Sequence, residues 1–235
     1  MNVFARAVLG TLALAALGGG AWYAYEAASS QPIRTVHFSG DTERIARADL
    51  DRLAESLRAL PASGSTLVAV REAAKRIPWV RDASARRRFP NAVEVRLESH
   101  EALARWGEAQ LVSPRGELFS AEFAGKLPRF SGPEGSAGEM TREYQAIGRA
   151  LAPLGSPVAE LKLSPRGAWQ VALESGLVLE LGRGEILQRI ERFVLAWPQL
   201  AQGDAPPRYA DLRYPNGFAL RRPAQPRPPA KPKPA

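Results

Sequence analysis

From Ala7 to Tyr25 the chain runs nineteen residues without a charge, at its very N-terminus and ahead of roughly two hundred residues of ordinary globular sequence. A helix rises about 1.5 Å per residue, so a run of this length matches the roughly 30 Å hydrocarbon core of a bilayer. Trp22, Tyr23 and Tyr25 cluster at its far end, where an aromatic belt lies in the headgroups. The competing reading is a cleavable signal peptide, whose apolar region runs about 7 to 15 residues and ends in a small-x-small site. Here the run is longer, and its exit is Tyr25-Glu26-Ala27. The pattern predicts a retained transmembrane helix over residues 7–25, with a short cytoplasmic end, residues 1–6, and a linker, residues 26–32. Arg6 on the near side places everything after Glu26 across the membrane, a single pass with the N-terminus inside.

The chain has no cysteine, which excludes disulfides, zinc-thiolate sites and thiol nucleophiles. The formal net charge of +8 invites a nucleic-acid reading. Its placement argues against one. Asp211 is the last acid, and Arg213, Arg221, Arg222, Arg227, Lys231 and Lys233 all follow it, carrying most of the excess. The remaining basic run, Arg86-Arg87-Arg88, falls in a predicted strand opposite Glu94 and Glu98, so a paired sheet face is favoured over a phosphate patch. Residues 223–235 hold six prolines and three cations and predict an extended, solvated, basic tail.

The first folded segment predicts strand, helix, helix, strand, strand. Ile33 to Phe38 alternates apolar and polar up to a Ser39-Gly40-Asp41 turn. A helix capped by Asp41 or Thr42 would then carry Leu50, Leu53, Leu57 and Leu60 on one face before Pro61 stops it. Ser63 to Thr66 cap a second helix, with Leu67, Val70, Ala74 and Ile77 inward, ended by Pro78. Trp79 to Phe89 reads as a strand, a Pro90-Asn91 turn comes next, and Val93, Val95 and Leu97 alternate with Glu94, Arg96 and Glu98.

The second segment reads as strands around two helices. Leu111-Val112 and Leu118-Phe119 flank Ser113-Pro114-Arg115-Gly116, and the same four residues recur at Ser164 to Gly167 between Leu161-Leu163 and the run Trp169, Val171, Leu173. A turn at Glu174-Ser175-Gly176 leads into Leu177, Leu179 and Leu181. Tyr144, Ile147 and Leu151 mark a short helix; Ile186, Ile190, Phe193, Val194, Trp197 and Leu200 mark a longer one whose stripe must lie on the sheet. The class is α+β, with a mainly antiparallel β domain and flanking helices. Arg208 to Leu220 forms two short runs joined by Pro215-Asn216-Gly217, which predicts a terminal hairpin whose outer strand is a sheet edge.

Catalytic patterns are absent. His37 and His100 are the only histidines, and neither lies in a His-Glu-x-x-His pair or beside a Gly-x-Ser-x-Gly elbow. Gly182-Arg183-Gly184 lacks the third glycine and ribose-binding acid of a dinucleotide loop and reads as a turn. Glu98 with Glu101 reads as a surface pair. No cofactor, metal or nucleic-acid partner is expected, and the chain reads as a non-enzyme. The alternatives are a membrane-anchored cell-wall enzyme, which would gather His100 with a serine and a carboxylate in a cleft, and a secreted binding module, which would need an enclosed apolar pocket.

The β-α-α-β-β order directly after an export segment resembles a POTRA domain, a polypeptide-docking module of bacterial envelope complexes. Ile77-Pro78-Trp79-Val80, Arg105-Trp106, Gly132-Pro133-Glu134-Gly135-Ser136, Trp169-Gln170, Leu181-Gly182-Arg183-Gly184, Arg192-Phe193-Val194 and Asp211-Leu212-Arg213-Tyr214 are collinear with the FtsQ/DivIB family of cell-division proteins. The resemblance spans residues 5–222, with departures in the very short cytoplasmic end and the Pro-rich tail. It implies a POTRA domain over residues 33–101, an FtsQ-type β domain over 102–222 and a disordered tail over 223–235. It further implies a periplasmic body on the inner membrane at the septum, FtsB- and FtsL-like coiled-coil partners, other divisome partners at the POTRA domain, and an essential role that helps regulate septal peptidoglycan synthesis. The family's partner-binding end corresponds to Arg213, Tyr214 and Gly217, with Asn216 standing where a serine is expected. Backbone pairing at Ala219, apolar anchoring by Tyr214 and Phe218, and a salt bridge from Arg213 complete the expected site.

Overall fold

The computed structural model describes residues 3–29, 32–58, 60–61, 63–89, 91–202 and 206–222, with the side chains of the first helix described over residues 10–23. The tail expected over residues 223–235 and Pro90 of the predicted turn lie outside the described residues. Two compact units divide the chain, Met1–His100 and Glu101–Ala235.

The N-terminal segment is helix α1 (Val3–Ser29). Leu12, Leu14, Leu17, Trp22 and Tyr23 are exposed on it. Gly10, Gly18, Gly19 and Gly20 dilute its apolar character. Among the described residues no helix is long and apolar enough to cross a membrane.

The rest of this unit is β1 (Thr35–Gly40), α2 (Arg47–Leu57), α3 (Gly64–Ala74), β2 (Val80–Arg88) and β3 (Ala92–Ser99). The sheet order is β1-β3-β2, with β1 parallel and β2 antiparallel to the central strand. Val93, Val95 and Leu97 turn inward and are at most 1% exposed, as the alternation predicts, and Leu50, Leu53 and Leu57 of α2 and Val70 and Ala74 of α3 are buried as well. Ser63 Oγ accepts the Thr66 N–H at 3.3 Å, the cap its sequence position calls for.

Several local expectations fail here for identifiable reasons. Helix α2 starts at Arg47 behind Ala46, not at Asp41 or Thr42, because residues 42–45 form a turn that buries Ile45. Arg58 turns extended and its N–H closes on the Ala54 and Glu55 carbonyls, so Leu60 leaves the helix and is 43% exposed. Helix α3 ends at Ala74, and Ile77 lies in the following turn. Trp79 sits before the strand at φ 72°, with the Arg44 guanidinium 5.6 Å from its ring centre. Arg86 pairs with Glu94 at 3.0 Å as expected, but Glu98 meets Arg81.

Asp82 ties α3 to β2. It accepts the Ala83 N–H at 2.9 Å and faces Lys75 and Arg71, each at 3.2 Å, and these groups lower its pKa from 3.8 to about 2. A depressed folded pKa contributes stability above the unfolded value and loses it as pH falls through the folded one. Urea midpoints should therefore fall more steeply in the wild type than in Asp82→Asn as pH drops from 3.8 towards 2. Parallel acid limbs would show that the cluster is energetically silent.

The second unit carries β4 (Ala104–Trp106), β5 (Gln110–Val112), β6 (Leu118–Phe119), β7 (Arg129–Ser131), α4 (Ala137–Leu151), β8 (Val158–Leu163), β9 (Trp169–Leu173), β10 (Val178–Gly182), α5 (Ile186–Ala201), β11 (Tyr209–Asp211) and β12 (Ala219–Arg221). They form one nine-stranded sheet in the order β12-β11-β10-β9-β8-β7-β4-β5-β6. The hairpins at Ser113–Gly116, Ser164–Gly167 and Glu174–Gly176 form as predicted, each closed by a glycine N–H on the residue three before it. The sheet is more mixed than expected, since β4–β7, β7–β8 and β10–β11 pair parallel. Parallel neighbours need a crossover, and α4 and α5 are the crossovers of the last two pairs. Because α4 packs on both β8 and α5, the helices share one face. Helix α4 is also longer than the short helix expected. Phe130, Met140, Ile147, Leu161, Leu179 and Ile190 are fully buried between the layers.

Candidate partner-binding edge

Strands β11 and β12 pair antiparallel, Tyr209 opposite Arg221, Ala210 opposite Leu220 and Asp211 opposite Ala219. Strand β12 ends the sheet order, so among the described residues its outer side has no strand partner. Backbone groups alternate sides along a strand. The Leu212 N–H reaches Glu180 O and the Val178 N–H reaches Arg208 O, so even-numbered residues of β11 face β10. Tyr209 and Asp211 therefore face β12, and their partners Arg221 and Ala219 face inward. Leu220 is left with its N–H and C=O turned outward. The edge donor expected at Ala219 thus belongs to Leu220.

The strands are joined by residues 212–218, a longer connection than a tight Pro215-Asn216-Gly217 turn. The core holds this loop from below. Phe218 meets Phe193 of α5 edge-on at 5.4 Å, and Leu212 is 1% exposed. Arg192 of α5 donates to the carbonyls of Pro215 and Tyr214. Phe218 is thus a seat for the loop, whereas Tyr214 is 54% exposed. Asn216 is exposed, and Gly217 is half-buried, does not use left-handed backbone, and a Cβ there would meet open space.

Arg213 is already paired within the chain. Its Nε and Nη2 hold Asp211 Oδ1 and Oδ2 at 2.8 and 2.6 Å, and its backbone N–H adds a third bond to Oδ1 at 3.1 Å. The carboxylate is nearly buried, yet the Arg213 side-chain bonds outweigh desolvation and hold its pKa below the usual carboxylate value. The same pair raises the pKa of Arg213. Gly182 makes room for this arrangement, because a Cβ there would lie 2.9 Å from both Arg189 Nη1 and Arg213 Cγ. Glycines at 182 and 184 adopt φ 71° and 61°, so Gly182-Arg183-Gly184 is a turn into α5. Across the pair, the Arg221 guanidinium lies 5.2 Å from the Tyr209 ring centre. Burial, then the Glu180 and Asp211 charges, raise the Tyr209 pKa.

Sequence reading missed the Asp211–Arg213 pair and the Arg192 tether. Asp-x-Arg at a strand end was a visible cue for the first. Nothing local points Arg192 at a loop more than twenty residues away.

Residues 31–100 match the family model "POTRA domain, FtsQ-type", and residues 104–213 match "Cell division protein FtsQ/DivIB, C-terminal". The chain is 40% identical to the cell division protein FtsQ of Burkholderia pseudomallei over 94% of its own length and 91% of that protein. It belongs to the FtsQ/DivIB family. Similarity extends to FtsQ of Allochromatium vinosum, 32% identical over 94% of the chain and 90% of the relative. With FtsQ of Xanthomonas campestris pv. campestris it is 35% identical over 81% and 70%. Membership in FtsQ/DivIB makes the chain a cell-division protein of the divisome, in a family of division scaffolds and not a known enzyme family. The matched C-terminal region stops at Arg213, so Tyr214 and β12 lie beyond it.

Proposed function

We propose that this FtsQ/DivIB chain is a non-enzymatic, essential scaffold held on the periplasmic face of the inner membrane by its N-terminal apolar segment. At the septum it captures FtsB- and FtsL-like coiled-coil partners through β12 and thereby helps regulate septal peptidoglycan synthesis. Its POTRA domain receives other division proteins. The observation that carries this reading is the outward backbone of Leu220 on the last strand of a nine-stranded sheet. Such an edge accepts a partner strand with main-chain bonds and leaves side chains to set specificity. Tyr214 beside it is an exposed aromatic anchor, and Arg213 Nη1, which makes no hydrogen bond among the described residues, can meet a partner carboxylate while Asp211 holds Nε and Nη2.

The test is binding of an FtsB-like C-terminal peptide to the full chain in detergent. Tyr214→Ala should weaken it by about 2 kcal/mol, roughly thirtyfold, with unchanged circular dichroism. Wild-type affinity would remove Tyr214 from the interface. The anchor is tested separately. A reporter fused after Ala235 should be active as periplasmic alkaline phosphatase and silent as a cytoplasm-restricted fluorescent protein. The reverse pattern, or a mature chain beginning near Ala27, would refute the topology.

A further inference from the structure

The end of the POTRA sheet nearest the N-terminal helix carries an unusual surface. Helix α1 ends at Ser29, and Pro32 already forms a bridge to Pro61. Three residues reach at most about 11 Å, so the sheet begins almost where the helix stops. Three segments meet there. The Ile33 N–H donates to Leu60 O at 2.8 Å, the Arg34 N–H donates to Asn91 O at 2.9 Å, and Thr35 pairs with Ala92, which pairs with Arg88. The start of β1, the β2–β3 turn and the α2–α3 connection are therefore brought to the same end.

Phe89 at this turn is 75% exposed and Leu60 is 43% exposed, although a packed core lies nearby to receive them. Arg34 and Arg88 are exposed, and among the described residues neither has an ion-pair partner. Glu94, the carboxylate of the neighbouring strand, is taken by Arg86. An aromatic ring and an aliphatic side chain flanked by uncommitted arginines match the chemistry of a lipid interface, where amphipathic groups sit at headgroup depth and cations meet phosphate.

We infer that Phe89, Leu60, Arg34 and Arg88 form a second contact with the bilayer, an anionic phospholipid surface, which lays this end of the POTRA domain on the membrane. The inference rests on the anchored reading of α1, since only an embedded helix, whose last residue lies at most about 11 Å from Pro32, brings this end of the domain close to the headgroups. Its consequence is orientational. A domain held at two points presents the opposite end of its sheet, at Gly40 and Ser99, away from the lipid, where partners from the periplasm can reach it.

The absence of cysteine gives a clean test. The full chain carrying Phe89→Cys is labelled with bimane, whose ring replaces that of phenylalanine, and is reconstituted into vesicles of phosphatidylglycerol and phosphatidylcholine. Glu43→Cys, exposed in the turn that follows Gly40 at the opposite end of the sheet, serves as the reference. At position 89 the emission should shift to the blue and be quenched by headgroup-depth spin-labelled lipid; at position 43 neither should occur. An anionic surface attracts each basic residue about fivefold. The shift should therefore be lost in Arg34→Glu/Arg88→Glu, in pure phosphatidylcholine and in high salt, with the chain still resisting carbonate extraction. If position 89 reads as aqueous while the chain stays embedded, the surface contact is refuted and the anchor stands. If carbonate releases the chain, the anchored reading falls and takes this inference with it.

Discussion

Phe193→Ala should destabilise the C-terminal unit by about 3 to 5 kcal/mol, the range for deleting a buried aromatic ring. Phe193 is fully buried on α5, with Trp197 at 5.5 Å on one side and Phe218 edge-on at 5.4 Å on the other. The ring therefore belongs at once to the helix layer and to the seat of the terminal loop. Removing it loses transfer free energy and leaves a cavity that Phe218 cannot fill without moving the loop it anchors. Leu195, two residues along the same helix and 81% exposed, is the control: Leu195→Ala should change stability by no more than about 0.5 kcal/mol. Urea midpoints by far-ultraviolet circular dichroism decide. Equal midpoints for the two variants would mean that α5 does not carry the hairpin.

Legibility in the sequence followed the range of the interaction. Strand β3 was readable because Val93, Val95 and Leu97 are buried by a period set by the backbone itself. The three glycine turns were readable because each needs only four residues and left-handed backbone at the last, φ 80°, 77° and 87° at Gly116, Gly167 and Gly176. The α2 boundaries were not, because Ile45 is drawn into the core ahead of the helix, and a tertiary contact overrode the capping pattern at Asp41 and Thr42. The parallel pairs β7–β8 and β10–β11 escaped as well. Helices α4 and α5 were foreseen as elements, but their role as crossovers depends on where the strands after them dock, which no periodicity encodes. The edge itself was legible as a last, short, polar-flanked strand. Which residue offers its N–H was not, since that depends on the side from which β10 pairs with β11.

That polarity makes the two neighbours Ala219 and Leu220 opposite experiments. Leu220→Pro removes the outward donor and puts the pyrrolidine ring where a partner strand would lie, while proline is tolerated on an edge whose N–H faces solvent. It also removes a side chain partly packed on the core, which Leu220→Ala does too. The difference between these two variants therefore isolates the backbone. Leu220→Pro should bind the FtsB-like peptide more weakly than Leu220→Ala by at least about 2 kcal/mol, roughly thirtyfold, because a partner carbonyl loses its bond and the ring obstructs pairing. Ala219→Pro should behave otherwise. Its N–H faces Asp211 across the β11–β12 ladder, so proline there should lower the denaturation midpoint of the unit as well as weaken capture. Peptide titration and urea melting of all three variants separate the cases. Strand addition at β12 fails if Leu220→Pro, folded by circular dichroism, captures the peptide as well as Leu220→Ala does. The assigned polarity fails if Ala219→Pro loses capture with its midpoint intact while Leu220→Pro is the variant that melts early.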